Sequence, residues 1–265
     1  MLLSCLSSIP EKDTEVIVID NGSKDGSIQR ARADFPKVKF KLMGRNTGFA
    51  YACNRGAQEA RGKILLFLNQ DAELVKEGFF TVAKFLSENP DRVIATGKVV
   101  YPDGSTQEIL RRFPGYFSFL FGRKTILTRL FPRNPGSRHY LYADIDYSNV
   151  QRIDACAGMC MFARRDIFLD LGGFDEGYFF YMEDVDLCKR TQEAGYETWY
   201  LPKVTAVHLV GENVPGSRTF VKMNHYKGIY RYLSIHKKPV PILRGLLWLG
   251  TGLAIVAYLS SPRLC

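Results

Sequence analysis

Acidic side chains are missing from two long stretches of this 265-residue chain: residues 109–143 and everything after Glu212. The tail beyond Glu212 carries eight of the 36 basic residues: Arg218, Lys222, Lys227, Arg231, Lys237, Lys238, Arg244 and Arg263. Residues 1–212 therefore hold 28 basic side chains against all 27 acidic ones. The earlier stretch carries Arg111, Arg112, Arg123, Lys124, Arg129, Arg133 and Arg138 among aromatic residues. The net charge of +9 is thus segregated, which points to an anionic surface, such as a membrane, as a partner. Nucleic acid is not expected, because no recognition motif accompanies the charge.

Other shortages narrow the class. Six cysteines (5, 53, 156, 160, 188 and 265) form no CxxC pair and stand mostly among apolar residues. That usage suits buried, reduced thiols in the cytoplasm and excludes a disulfide framework. Four scattered histidines argue against a zinc cluster. The opening Met1-Leu2-Leu3-Ser4-Cys5-Leu6 has no basic leader and no long apolar run, so no secretory signal is expected. GxGxxG, GxxxxGK followed by Ser or Thr, and GxSxG are all absent, which weakens dinucleotide, P-loop ATPase and α/β-hydrolase readings. Hydrophobic residues at 46% and charged residues at 24% exclude disorder, and the length suits one α/β domain with a tail.

What is present alternates. Residues 15–20, Glu-Val-Ile-Val-Ile-Asp, form a β-branched apolar run cut off by Asn21-Gly22-Ser23, the pattern of a buried parallel strand. Strands are also expected at 38–43, 63–69, 93–101, 197–201 and 205–209. Helices are expected at 24–34, 48–61, 76–89, 163–171, 183–194 (closed by Gly195) and 218–236. Strands alternating with helices predict a mostly parallel sheet flanked by helices. Residues 102–150, rich in Gly, Pro and aromatics, read as a long functional loop that could hold a short helix. Pro239 and Pro241 precede an apolar run at 242–259, which is 18 residues long and slightly short of the ~20 that span a bilayer.

Chemistry has four places to sit. Asp20 and Asp71 each follow a buried strand, and ligands of open α/β sheets bind at the carboxyl ends of strands. Asp20 could accept a hydrogen bond from a nucleobase, or its turn could serve only as strand-to-helix punctuation. Asp71, in Asn69-Gln70-Asp71, could hold a hard divalent cation or be a polar turn residue. Glu183, Asp184 and Asp186 open a helix; one acid there complements the helix dipole, but three within four residues exceed what capping needs. A carboxylate held there could act as a general base. His208, in Ala-Val-His-Leu-Val, could be a ligand or a core histidine on a strand.

Five segments carry a resemblance when taken in order: 16–27 (Val-Ile-Val-Ile-Asp-Asn-Gly-Ser-Lys-Asp-Gly-Ser), 45–56 (Arg-Asn-Thr-Gly-Phe-Ala-Tyr-Ala-Cys-Asn-Arg-Gly), 65–71 (Leu-Leu-Phe-Leu-Asn-Gln-Asp), 157–166 (Ala-Gly-Met-Cys-Met-Phe-Ala-Arg-Arg-Asp) and 172–190, which contains Tyr-Phe-Phe-Tyr-Met-Glu-Asp-Val-Asp. With His208 behind them, they resemble the family 2 glycosyltransferases and, within these, the bacterial rhamnosyltransferase-like branch. The resemblance implies a GT-A fold, with one Rossmann-like sheet, over residues 1–237. It leaves 238–265 as an apolar, helical, membrane-associating tail. It implies that Asp20 reads the donor base, with Asn21 and Ser23 in its turn, and that Arg45, Asn46 and Gly48 line the nucleotide pocket. Asp71 and His208 would face Mg²⁺ or Mn²⁺, with Asn69 where many relatives carry a second Asp. Asp184 would be the catalytic base, with Glu183 and Asp186 shaping the acceptor side and the helix.

The implied activity is inverting transfer of a sugar from a nucleotide-diphosphate donor, dTDP-rhamnose by the branch. The acceptor would be a glycan or lipid-linked hydroxyl, at the cytoplasmic face of the membrane, in cell-surface polysaccharide synthesis. A degenerate protein that binds nucleotide sugar without turnover is the alternative. The resemblance also implies an opening strand ahead of the helix that contains residues 2–9. This sequence does not include it, so a shortened chain of low stability or activity is expected, with the strands at 16–20 and 65–69 facing a gap or pairing directly.

Overall fold

The computed structural model describes residues 1–115, 131, 135–209, 218–237 and 245. The elements up to the first long excursion are α1 (Leu2–Ser8), β1 (Ile17–Asp20), α2 (Ser27–Asp34), β2 (Lys39–Leu42), α3 (Phe49–Glu59), β3 (Ile64–Leu68), β4 (Ala72–Leu74), α4 (Lys76–Ser87) and β5 (Arg92–Val100). The remainder are β6 (Leu110–Arg111), α5 (Pro135–Tyr140), β7 (Gln151–Arg152), β8 (Ala155–Cys156), β9 (Cys160–Arg164), α6 (Arg165–Asp170), α7 (Glu183–Glu193), β10 (Glu197–His208) and α8 (Arg218–His236).

The sheet is mixed, which corrects the mostly parallel expectation. Its order is β3-β9-β5-β10-β4, with β7 also on β10. β5 and β10 run parallel, whereas β9 is antiparallel to both β3 and β5, and β4 is antiparallel to β10. The reason lies in β9. Cys160, Met161, Phe162 and Ala163 are fully buried on both faces of a central strand. A short apolar run of this kind does not reveal strand or helix by its period, so the expected helix at 163–171 is in fact the end of β9 followed by α6. The two short strands expected at 197–201 and 205–209 are one strand, β10. Its register against β5 shifts after Leu201 and again after Val204, next to Pro202, which has no N–H for the ladder.

β1 and β2 pair in parallel as a separate two-stranded sheet, and β1 is not bonded to β3. α1 and α2 cover this small sheet through Leu2, Leu6, Ile28 and Ala31. α3 joins it to the main body: Gly56 lets Ile19 of β1 approach, while Ala50 and Ala57 enter the main core. That core is dense in aromatics, with Phe67, Phe168 and Phe174 meeting at centroid distances of 5.1, 4.9 and 5.3 Å. Among the described residues no helix is long and apolar enough to cross a membrane. The run at 242–259 lies outside them, apart from residue 245, as does most of the basic aromatic stretch 111–138.

Candidate active site

Two turns meet on the β1 side. Asp20 is buried at the strand end, where its carboxylate accepts the Ser23 N–H at 2.9 Å. Gly22 has φ +89°, and a Cβ there would stand 2.9 Å from the Arg45 Cα, so the two loops touch backbone to backbone. Asn21 Oδ1 accepts both the N–H and the hydroxyl of Thr47, at 2.7 and 2.8 Å. Its Nδ2 donates to Asn46 Oδ1 and to the Gly48 carbonyl, at 3.0 and 3.1 Å. Asn21 and Asn46 therefore latch the Asp20–Ser23 turn to the loop of Arg45 and Gly48. A cleft of about 300 Å³ lies between the start of α1 (Met1, Leu2 and Leu3), the turn and start of α2 (Asp25, Ser27 and Arg30) and Gln70.

The second cluster forms because β4 pairs with β10, which sets Ala72 opposite His208. His208 Nε2 lies 3.2 Å from Asp71 Oδ1, and its Nδ1 lies 3.1 Å from Gln107 Oε1. The Leu209 N–H donates to the Asp71 carbonyl at 2.8 Å. Residues 137 apart in sequence thus become neighbours. When Gln107 accepts the Nδ1 proton, the Nε2 lone pair faces a carboxylate oxygen, an arrangement satisfied by a proton or a cation between them. An oxygen and an imidazole nitrogen fit a divalent cation that takes its remaining ligands from a diphosphate and water. Among the described residues, no group of three or more His, Cys, Asp or Glu could hold a metal by itself.

The acidic cluster opens α7. Tyr181 and Met182 precede it with φ +71° and +77°, left-handed values that non-glycine residues rarely adopt. Asp184 Oδ2 accepts the Gly158 N–H at 2.9 Å, and Oδ1 accepts the Val185 N–H at 2.8 Å. The surrounding protein desolvates this carboxyl and raises its pKa above the ordinary aspartate value, against the pull of those N–H groups and of Arg111. Glu183 is 4% exposed, and its Oε2 has no hydrogen-bond partner among the described residues. Burial and the adjacent Asp184 charge push its pKa well above the usual glutamate range. Asp186 faces elsewhere. It accepts from Arg190 Nε and His236 Nε2, each at 2.8 Å, and from the Tyr178 hydroxyl at 3.3 Å. The sequence groups Asp186 with its two neighbours, but the structure makes it a buried post between α7 and α8.

Short links join the three regions. Gly158 bonds to Asp184, and the next residue, Met159, accepts the Asn69 N–H at 3.0 Å. Asn69 thus fixes the turn that carries Asp71. The Phe49 N–H, at the end of the Arg45–Gly48 loop, donates to the Phe179 carbonyl at 2.9 Å, and a Cβ on Gly48 would stand 2.6 Å from that same oxygen. Asn54 of α3 holds the Phe174 N–H and carbonyl at 2.9 and 2.8 Å. Gln107, Gly158, Phe179, Asn54 and His236 were not singled out in the sequence. Asn54, Gly158 and Phe179 lie inside the quoted motifs, whereas Gln107 and His236 lie outside them, and all five act through contacts that no local pattern encodes.

Residues 1–171 match the family described as Glycosyl transferase family 2. The chain is 31% identical over 244 residues to the N-acetylglucosaminyl-diphospho-decaprenol L-rhamnosyltransferase of Mycobacterium tuberculosis, covering 88% of this chain and 78% of that one. Its fold is similar to that of GalNAc-T7 solved with UDP, GalNAc and Mn²⁺, with a TM-score of 0.62, 19% identity and coverage of 88% of this chain but only 44% of that one. It is also similar to a Pyrobaculum calidifontis mannosyltransferase in complex with GDP-Man and Mn²⁺, with a TM-score of 0.56, 16% identity and coverage of 99% and 71%.

Proposed function

This chain belongs to glycosyl transferase family 2, and on that premise we propose that it moves a sugar, with inversion, from a nucleotide-diphosphate donor to an acceptor hydroxyl. Its fold is the α/β GT-A fold with a mixed sheet flanked by helices. The rhamnosyltransferase relative supports rhamnose as the sugar and a lipid-linked N-acetylglucosaminyl diphosphate as acceptor. dTDP as the carrier and a role in cell-surface polysaccharide synthesis follow from the family resemblance of the sequence. One observation carries the reading: Gly158 and Met159 bond in succession to Asp184 and to the turn of Asp71, so a base candidate and a cation-side carboxylate are held by adjacent residues.

Each side chain then has a task. Asp20, in its turn with Asn21 and Ser23, reads the donor base, while Arg45 and Gly48 border the nucleotide. Asp71 and His208 would hold a divalent cation, Mg²⁺ or Mn²⁺, which when bound would neutralise charge on the leaving diphosphate. Asp184 takes the proton of the acceptor hydroxyl. That oxygen forms the new bond to the anomeric carbon from the face opposite the diphosphate, whose bond breaks with the electron pair leaving on its oxygen. The raised pKa strengthens Asp184 as a base, and burial favours the neutral form of Glu183 beside it. The acid-free tail supports attachment to the cytoplasmic face of a membrane, since basic residues near anionic lipid are each worth ~1 kcal/mol.

The test is turnover of dTDP-rhamnose by the full chain with Mn²⁺ and an N-acetylglucosaminyl-diphospho-lipid. Appearance of a rhamnosylated lipid supports the proposal. Mn²⁺-dependent dTDP binding with no transfer across a panel of donors and acceptors would contradict it and favour a protein that only binds the nucleotide sugar.

A further inference from the structure

We infer that α8 is a clamp that sets the position of the Asp184 carboxylate, with Gly228 and Arg231 as its positioning residues. The inference deepens the proposed reaction and, for its rate prediction, rests on Asp184 as the base.

Four observations lead there. First, the backbone at Tyr181 and Met182 is left-handed at two successive non-glycine residues directly ahead of Glu183 and Asp184. Such a conformation persists only where the surroundings over-determine it, and it concentrates at functional sites. Second, Gly228 stands inside a 19-residue helix, where glycine is an unfavourable choice compared with alanine. A Cβ at Gly228 would lie 2.7 Å from the Tyr181 carbonyl oxygen and 3.1 Å from the Met182 side chain. The glycine allows α8 to press directly on the strained pair.

Third, Arg231 fastens the other end of the same segment. Its Nε and Nη2 donate to the two oxygens of Asp175, both at 2.8 Å. The guanidinium lies over the Tyr178 ring at 5.4 Å and against Gly177, where a Cβ would collide with it. His236, one helical turn further on, bonds to Asp186, just past Asp184. Fourth, the segment meets a second, equally close wall, where Gly48 admits the Phe179 carbonyl. Residues 179–182 therefore contact both the loop of Arg45 and Gly48 and α8. Displacing Tyr181 from the α8 side must move either that loop or the start of α7, where Asp184 meets the Gly158 N–H.

The experiment is Gly228→Ala and Arg231→Ala in the full chain, read by hydrogen exchange at the Gly158 and Val185 amides, by kcat and donor KM with dTDP-rhamnose, and by Tm. Both variants should speed exchange at those two amides, on the order of tenfold, with little change in the main sheet. They should lower kcat about 10- to 100-fold, the scale of a small misplacement of a reacting group, with donor KM little changed. Arg231→Lys should recover part of the loss, because its ammonium still reaches Asp175 but cannot make the paired contact. Unchanged exchange at Gly158 and Val185 in both alanine variants overturns the clamp, whatever the rates do. So does exchange that rises throughout the chain together with a fall in Tm and in donor binding, which marks general destabilisation. Faster exchange at the two amides with unchanged kcat supports the clamp and counts instead against Asp184 as the base.

Discussion

Glu183 shows how a single residue's surroundings decide its charge. Its carboxyl is buried, lacks a partner at Oε2 among the described residues and lies beside Asp184, so folding raises its pKa well above that of the unfolded chain. A pKa raised by folding contributes stability that is complete below the unfolded value and is lost as pH rises toward the folded one. Glu183→Gln, neutral at every pH, should therefore leave Tm near wild type at pH 4 and raise it at pH 8. A gain of ~1–3 kcal/mol is the scale for relieving an unsatisfied buried group. Thermal melts at the two pH values check this, and equal shifts at both would refute it. Asp71 and His208 give a second prediction at this scale. Asp71→Ala should weaken Mn²⁺-dependent dTDP binding, and His208→Ala should do so to a similar extent, because the two face one another. Calorimetric titration with and without Mn²⁺ measures it, and an unaltered metal response in both variants would reduce the pair to a structural contact. The sequence offered the two residues separately, Asp71 at a strand end and His208 on an apolar strand behind the family segments. Their contact was not legible, because it depends on β4, a three-residue strand too short to leave a periodic signal.

Elements with punctuation were read well. α7 stops before Gly195 at φ +88°, and α8 occupies 218–236 as expected. Strand direction was less accessible. An apolar run records burial on both faces but not which way its neighbours point, so β9 passed for part of a helix and the sheet for mostly parallel. The links between elements depend on single polar side chains, of which Asn54 is the clearest. It is buried on α3 and satisfies both the N–H and the carbonyl of Phe174, 120 residues away. Asn54→Ala should destabilise the chain by ~1–3 kcal/mol, the cost of leaving such groups unpaired. It should also loosen the segment that leads to Asp184. Urea unfolding gives the first quantity, and a loss below about 0.5 kcal/mol would mean that water replaces the amide.

Across the whole molecule, charge and chemistry are segregated. The body to Glu212 is nearly neutral, while the tail is wholly basic among its charged residues. If the tail attaches the enzyme to anionic lipid, a chain ended at Lys238 should shift from vesicles of acidic phospholipid to the soluble fraction, and raised salt should weaken binding of the full chain. Equal partitioning of the two chains would remove the tail from the account. The central claim is narrower, namely that Asp184 removes the proton in a single inverting displacement. Its most direct test is the anomeric configuration of the product, read by NMR together with the transfer rate of wild type and Asp184→Asn, whose amide oxygen can still accept the Gly158 N–H. The account predicts inverted product from wild type and a rate lowered about 10²- to 10⁴-fold in the variant with dTDP binding retained. Retained configuration, or transfer by Asp184→Asn at the wild-type rate, would contradict it.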